Sequence, residues 1–333
     1  MENFSFIDSS RNDRFYYLRG DDLFLLISQI LNFDLRYRDS LGLSSLVTFG
    51  VELEYEGVDK KVFDTYLNDF EGYKSLHDAS LKSGGEIVTP ILTDCKDTWD
   101  NLKKVCDYLR SLNPVLDKYA SNHIHVGAHI LDEVYKWRLF LKTYAYFEDI
   151  LFRFGFGDKV NGREKIINYA DPVSDDFFLY FDDIDDVRKV DDFSDLFQEL
   201  YYRNHAVNLD NVRFYYIDDK VSKNTVEFRI CNGTCDKVIV QNNINVFTKL
   251  MQVYKSSLLD EDSLDYKLRN KKISSDRDFY LYGEVNLKKA LEFVDIVFNN
   301  NLDKVYFLRQ YLKNFESGYR ETPCKSAKVF TRK

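Results

Sequence analysis

The chain of 333 residues is 44% hydrophobic, 16% aromatic and 30% charged, with a formal net charge of −9. Four prolines and 14 glycines exclude a collagen-like or low-complexity chain, and the length allows one large domain or two ordinary ones with a core that needs no disulfide or metal staple. The acidity disfavours a general nucleic-acid binder, which would show a basic face. It is also local: ten Asp against Arg188 and Lys189 lie between Asp171 and Asp195, and the remainder of the chain is close to neutral. The longest apolar stretch, Leu23 to Leu31, already contains Ser28 and Gln29 and is far short of the roughly 20 residues of a membrane helix. The first six residues show neither a basic flank nor an apolar run, and the five cysteines are an odd number without a C-x-x-C pair. A cytoplasmic protein with free thiols and no membrane partner is therefore expected.

In chain order, Asp21-Asp22 ahead of Leu23, Leu26, Ile27, Ile30 and Leu31 predicts a capped amphipathic helix. Short strands are predicted over 46–55, 85–92 and 123–131, with a helix over 97–112 before the third of them. A long aromatic helix over 136–154 follows, then the acidic segment, then strands over 211–217 and 225–231. Apolar residues at helical spacing predict helices over 240–258, 285–298 and 304–315. No internal repeat and no Pro/Gly/Ser linker marks a boundary. Strands interrupted by helices, some joined by hairpin-like connections, indicate an α+β sheet with helices on one face. The acidic segment reads first as a solvated loop, with a lid that recruits a basic amine as its functional alternative. The basic stretch 319–333 reads as a solvated tail, or else as a docking tail.

Three predicted strands place ionisable side chains two residues apart, which in a strand means on one face. Glu52 and Glu54 oppose Val51 and Leu53. His123, His125, Gly127 and His129 oppose Ile124, Val126, Ala128 and Ile130. Glu227 and Arg229 join Thr225, opposite Val226, Phe228 and Ile230. A fourth strand adds Glu86. Any one of these fits a half-exposed antiparallel strand. Together they cluster like charges that a divalent cation would relieve, and oxygen ligands with an occasional imidazole suit Mg²⁺ or Mn²⁺ better than Zn²⁺. Such ions are commonly completed by phosphate oxygens, which directs attention to nucleotides. The chain has no Walker A or G-x-G-x-x-G loop, no H-E-x-x-H helix and no G-x-S-x-G elbow, so none of the chemistries tied to those motifs is expected.

The series Gly50-Val-Glu-Leu-Glu54, Asp78-Ala-Ser-Leu81, Gly85-Glu-Ile-Val-Thr-Pro90, His123-Ile-His-Val-Gly127, Asn208-Leu209 and Thr225-Val-Glu-Phe-Arg229 resembles the amidoligase family. That family is a branch of the glutamine-synthetase-like carboxylate–amine ligases, related to the glutamate–cysteine ligases. The resemblance covers about residues 45–255. It implies a glutamine-synthetase-like α+β fold, an antiparallel sheet curved into a half-barrel with helices on its outer face. A catalytic domain over 46–318 would carry the acidic insertion 171–195, between an N-terminal helical extension 1–45 and the tail. The resemblance also implies ATP with Mg²⁺ or Mn²⁺, and small-molecule or peptide carboxylate and amine substrates joined through an acyl phosphate. Glu52, Glu54, Glu86, His123, Glu227 and Asp78 are similar to its metal ligands. His125, Asn122 and Arg229 would contact the nucleotide, His125 nearer the phosphates. Arg229 would steady the transferred phosphoryl group, and Arg163 resembles a phosphate- or substrate-binding arginine. Ser121-Asn122 departs from the small residue and Gly that the family pattern carries before its H-x-H. Two other readings remain open: a metal-dependent hydrolase that uses the His-x-His and carboxylates to activate water, and a relative that binds nucleotide without catalysis.

Overall fold

The computed structural model describes residues 5–78, 80–116, 119–159, 162–163, 166–177, 181–193, 204–212, 223–271 and 284–313. Six strands are described: β1 Phe49–Glu56, β2 Lys74–Leu76, β3 Gly84–Val88, β4 Ser121–Gly127, β5 Val207–Asn208 and β6 Thr225–Asn232. They form one sheet in the order β2-β3-β1-β4-β6-β5, and every pairing is antiparallel. The α+β class agrees with the sequence. The half-barrel does not: among the described residues the sheet has β2 and β5 at its edges and is neither closed nor strongly curled.

Period-two alternation gives the sheet its two faces. Val51, Leu53, Tyr55, Ile124, Val126 and Phe228 are essentially inaccessible to solvent, and each fully buried side chain of this size contributes roughly 2–3 kcal/mol relative to exposure. They meet three helices: α3 Lys96–Ser111, α4 Val134–Gly155 and α8 Lys237–Leu250. Helix α3 presents Trp99, Leu102, Val105, Cys106 and Leu109, a spacing that makes one stripe. Trp99 stacks on Phe49 at 5.4 Å between ring centroids, and Phe247 of α8 stacks on Phe228 at 4.3 Å. Phe140 and Tyr144 of α4 close on Phe228 from the other side. At Gly84, φ is +147° and an added Cβ would lie 1.9 Å from Tyr55 O. Only glycine permits that approach between β3 and β1.

The predicted helices near 23–31, 97–112, 136–154 and 285–298 are all present, with ends moved by three residues at most. The run 240–258 divides, because α8 ends at Leu250 and a separate turn covers Val253–Lys255. The N-terminus of α8 is set by Asp236, whose carboxylate accepts from the N–H groups of Val238 and Ile239, a satisfied cap. Of the strand predicted over 211–217, residues 211 and 212 lie outside any strand, and 213–217 fall outside the described residues. Among the described residues β6 pairs with β4 on one side and with the two-residue β5 on the other. Three short elements had too weak a pattern to be read: α2 Lys60–Tyr66, β2, and α9 Glu261–Arg269.

The described part of the acidic segment is packed rather than solvated. Its short helices α6 Ser174–Phe177 and α7 Phe181–Asp186 bury Phe177, Phe181 and Ile184, and Phe193 is buried beyond them. Of its described charges, Asp182, Asp183, Asp186 and Asp192 are exposed and Asp185 turns onto α4. Glu148 accepts from the N–H groups of Val173 and Ser174, and the buried Lys142 ammonium lies 2.6 Å from Asp185 and 2.8 Å from Asp265. The stretch 319–333 lies outside the described residues.

Residues ahead of β1 share the core with the C-terminal helices α10 Glu284–Val297 and α11 Asn301–Tyr311. One carboxylate ties several of these parts together. Asp303 is 2% exposed and accepts from Arg38 at 2.7 Å, from Lys249 at 2.5 Å and from Asn245 at 2.9 Å. Burial alone would raise its pKa, but Lys249 and Arg38 outweigh burial and hold it down at about 2. A carboxyl depressed in the folded state stabilises the fold above its unfolded pKa, and that stabilisation is lost as pH falls through the folded value. Asp303→Asn should therefore cost about 3 kcal/mol near neutrality by leaving two partly buried cations, Arg38 and Lys249, unbalanced. Measured by urea unfolding, the deficit relative to the parent chain should be full above about pH 4 and close as pH approaches 2.

Candidate active site

The face of the sheet opposite the helices carries charge instead of aromatics. Glu52, Glu54 and Glu56 project from β1, Glu86 from β3, Ser121, His123 and His125 from β4, and Glu227 and Arg229 from β6. Antiparallel register aligns them: Glu54 is opposite Glu86, Glu52 opposite His123, and His125 opposite Glu227. Glu52, Glu54, His123, His125 and Glu227 are all buried, so their charges must be balanced locally.

His123 lies at the centre. Its Nδ1 is 3.0 Å from Glu52 Oε2 and 3.2 Å from Glu227 Oε1. Its Nε2 is 2.8 Å from Ser121 Oγ and 3.6 Å from Glu54 Oε1. Burial and nearby Arg229 push the imidazole pKa down, but Glu54, Glu52 and Glu227 together raise it above its ordinary value. The effects on the carboxylates are opposed in the same way. Burial would raise Glu52, yet contacts from His123 and His125 hold it far below the usual carboxylate range. Burial would raise Glu227 too, and His123, His125 and Arg229 lower it. Glu54 is fixed by Ser121, whose N–H and O–H both donate to Oε2 at 2.7 Å.

Two ligand clusters result. Ligand atoms of Glu52, His125 and Glu227 all lie within 4.8 Å of one another, and so do those of Glu54, Asp78 and Glu86. His125 Nε2 is buried without a hydrogen-bond partner; it lies 3.0 Å from Glu52 Oε1 but off the line that a hydrogen bond requires. A buried, unsatisfied ring nitrogen beside two carboxylates fits a divalent ion, and a set of carboxylates with one imidazole fits Mg²⁺ or Mn²⁺. In the second cluster, burial and then the charges of Glu52 and Asp78 push Glu86 up to about 7.

Arg229 donates to Glu227 at 2.6 Å through Nη1 and to Tyr169 O at 3.1 Å through Nε. Its aim follows from an irregular register. Between the pairs Asn122–Cys231 and Ile124–Phe228, β6 uses one residue more than β4, the signature of a bulge. Asn208 of β5 donates to Glu227 Oε2 at 2.7 Å. The cluster borders a cleft of about 320 Å³ that reaches Glu52 and His125, floored by Gly50, Val88 and Pro90, with Lys74 and Lys223 at its sides. Gly50 shares the face of Glu52 and lines the cleft.

Two expected site residues are placed elsewhere. Asn122 is fully buried; its Nδ2 donates to Thr234 O, and its Oδ1 accepts from Thr234 N. Both amide atoms are engaged in pinning the turn after β6, on the core side of β4 rather than on its charged face. Arg163 is 3% exposed, and its guanidinium donates to Cys231 O and Arg229 O at 3.1 and 3.0 Å. Those carbonyls lie where β6 extends beyond its short partner β5, so Arg163 satisfies a sheet edge. Burial lowers its pKa to about 10. His129 lies beyond the end of β4, exposed at the rim, with Nε2 2.7 Å from Leu46 O. Sequence reasoning left Glu56, Ser121, Asn208 and Lys223 without roles. Alternation could have found Glu56 and Ser121, which continue the periods of Glu52–Glu54 and His123–His125.

A family model described as "Putative amidoligase enzyme" matches residues 60–251. The chain belongs to this family. The amidoligase match takes in Asp78, Glu86, His123, His125, Glu227 and Arg229, whereas Glu52 and Glu54 lie just ahead of it on the strand that pairs with Glu86 and His123. A comparison with curated proteins found no match. Membership in a ligase family implies nucleotide use, and the buried clusters could hold a metal. Among the described residues no helix is long and apolar enough to cross a membrane.

The crowding of Glu86 makes a measurable prediction. A carboxyl raised to about 7 costs folding free energy that grows from its ordinary pKa up to about pH 7 and is constant above that. In chelator, the melting temperature should fall as pH rises from 5 to 7, and Glu86→Gln should flatten that fall while raising the value at pH 7. The same variant should lose most of the stabilisation that added Mn²⁺ gives the parent chain. A steeper fall in the variant would refute the account.

Proposed function

We propose that the chain is an ATP-dependent carboxylate–amine ligase built on a glutamine-synthetase-like sheet. The observation that carries this reading is the pair of carboxylate clusters, Glu52–His125–Glu227 and Glu54–Asp78–Glu86, joined through His123 on one sheet face. The antiparallel sheet with helices on one face and this charge on the other supports that fold assignment, although the described sheet is flatter than the half-barrel, and family membership supports the reaction class.

Amide formation from a carboxylate is uphill in water, so a carboxylate oxygen must first become a leaving group. Transfer of the ATP γ-phosphoryl group to that oxygen gives ADP and an acyl phosphate. An amine nitrogen then attacks the acyl carbon, inorganic phosphate leaves, and the amine loses its proton to solvent. Phosphoryl transfer depends mainly on positioning and charge neutralisation. When bound, Mg²⁺ or Mn²⁺ at the two clusters would supply charge neutralisation for the phosphate oxygens. Arg229, anchored by Glu227 and Tyr169 O, keeps a guanidinium at the edge of the first cluster. Lys74 and Lys223 offer cations beside the cleft. His123 holds Glu52, Glu54 and Glu227 at fixed spacing, and Ser121 and Asn208 lock the carboxylates from behind. A small-molecule or peptide substrate would lie over Val88 and Pro90 with its carboxylate toward Lys74 and Lys223, and the exposed aspartates of the acidic segment favour a basic amine partner.

The test is ADP release under a panel of amino acids and peptides with Mg²⁺. Turnover should require both a carboxylate and an amine. Glu227→Gln and Arg229→Ala should each lower it by about 10²–10³-fold with circular dichroism unchanged. Retention of full turnover by both variants would remove these residues from the site, and hydrolysis without ATP would favour a hydrolase instead.

A further inference from the structure

Two nitrogen groups converge on one oxygen of the first cluster. Glu52 Oε1 lies 3.0 Å from His125 Nε2 and 3.1 Å from Lys223 Nζ. The Glu52 side chain is 11% exposed, whereas that of Lys223 is 47% exposed. A divalent ion ligated by Glu52, His125 and Glu227 would need the lone pairs that this ammonium approaches, because a carboxylate oxygen serves a metal or a proton donor in the same directions. With metal–oxygen distances of about 2.1 Å for Mg²⁺, the ammonium and the ion would lie within about 5 Å of each other, and their repulsion would be strong in this partly dry pocket. Lys223 is long and half in water, so its ion pair with Glu52 is of the weak, exchangeable kind. It also lines the cleft, near Thr225, whose Oγ1 is 3.3 Å from His125 Nδ1.

We propose that Lys223 is a displaceable cation: it balances Glu52 in the metal-free protein, leaves when a divalent ion binds, and then presents its ammonium to an anionic group in the cleft. This rests on the reading of Glu52, His125 and Glu227 as a divalent-ion site. The arrangement makes ion and anion binding mutually reinforcing, since each removes Lys223 from Glu52 or rewards its removal, and such linkage is reciprocal. A substrate phosphate or carboxylate is thus held firmly only once the ion is in place.

The experiment reads Lys223 directly in the full chain. Acetylation by an activated acetate ester, quantified by mass spectrometry, should rise about three- to fivefold at Lys223 when Mn²⁺ is added, the range expected for release of a weak ion pair. Labelling of Lys74, which lines the same cleft without contacting Glu52, should not change. In calorimetric titration, Lys223→Met should bind Mn²⁺ several-fold more tightly than the parent chain. Unchanged labelling, or a variant that binds Mn²⁺ equally or more weakly, overturns the displacement and leaves the ligase reading standing. Absence of Mn²⁺ binding in both proteins overturns the displacement together with the metal-site reading. The ADP-release assay addresses the ligase reading separately.

Discussion

Buried carboxylates brought together must be balanced or protonated, and in this fold His123 is the side chain that touches the most of them. Its imidazole, on β4, lies within reach of Glu52 and Glu54 of β1 and of Glu227 of β6, the two strands that flank it. The strands can converge there because their other face is fixed by rings: Trp99 on Phe49, and Phe140, Tyr144 and Phe247 on Phe228. The aromatic core supplies the rigidity and the imidazole supplies the charge balance. Either one alone would leave the carboxylates to repel one another into solvent.

Much of this was legible in the sequence, for a physical reason. Side-chain alternation has an integral period, so Glu52–Glu54, His123–His125 and Glu227–Arg229 could be assigned to one face before any pairing was known, and the structure brings them together. The second cluster was legible only through the resemblance, since Asp78 reaches Glu86 through a hairpin turn whose geometry no periodicity encodes. Arg163 and Asn122 were misplaced for a different reason. Asn122 adjoins a site motif and Arg163 came only through the resemblance, and neither ground distinguishes a side chain aimed at a ligand from one that satisfies buried backbone groups. Lys223 carried no pattern at all. Its contact depends on the two residues just ahead of β6, where Asn224 takes a φ of +48°.

The charge asymmetry acquires a structural meaning as well. The acidic segment is held to α4 by one acceptor and one donor, Glu148 receiving the N–H groups that begin α6 and Lys142 gathering Asp185, Glu261 and Asp265. Part of the net charge is therefore neutralised within the fold, and the aspartates left in water form a surface property independent of the buried carboxylates. The two acidic populations are separated by the sheet's chemistry: one is solvated, the other balanced by imidazole and guanidinium.

The extra residue in β6 has a consequence for how such a site could change. Up to Phe228 the strand obeys the parity that sends Glu227 to the charged face, and beyond the irregularity the parity is reversed, so that Asn232 pairs with Ser121 and its side-chain oxygen accepts from the Arg163 N–H. Two networks of opposite phase thus share one strand, with Arg229 at the seam. A loss or gain of a single residue between 228 and 231 would put them out of step, turning one network toward the aromatic core. Substitution can tune this strand residue by residue, but its length is quantised, and any transplant of the site to another sheet must carry the phase slip with it.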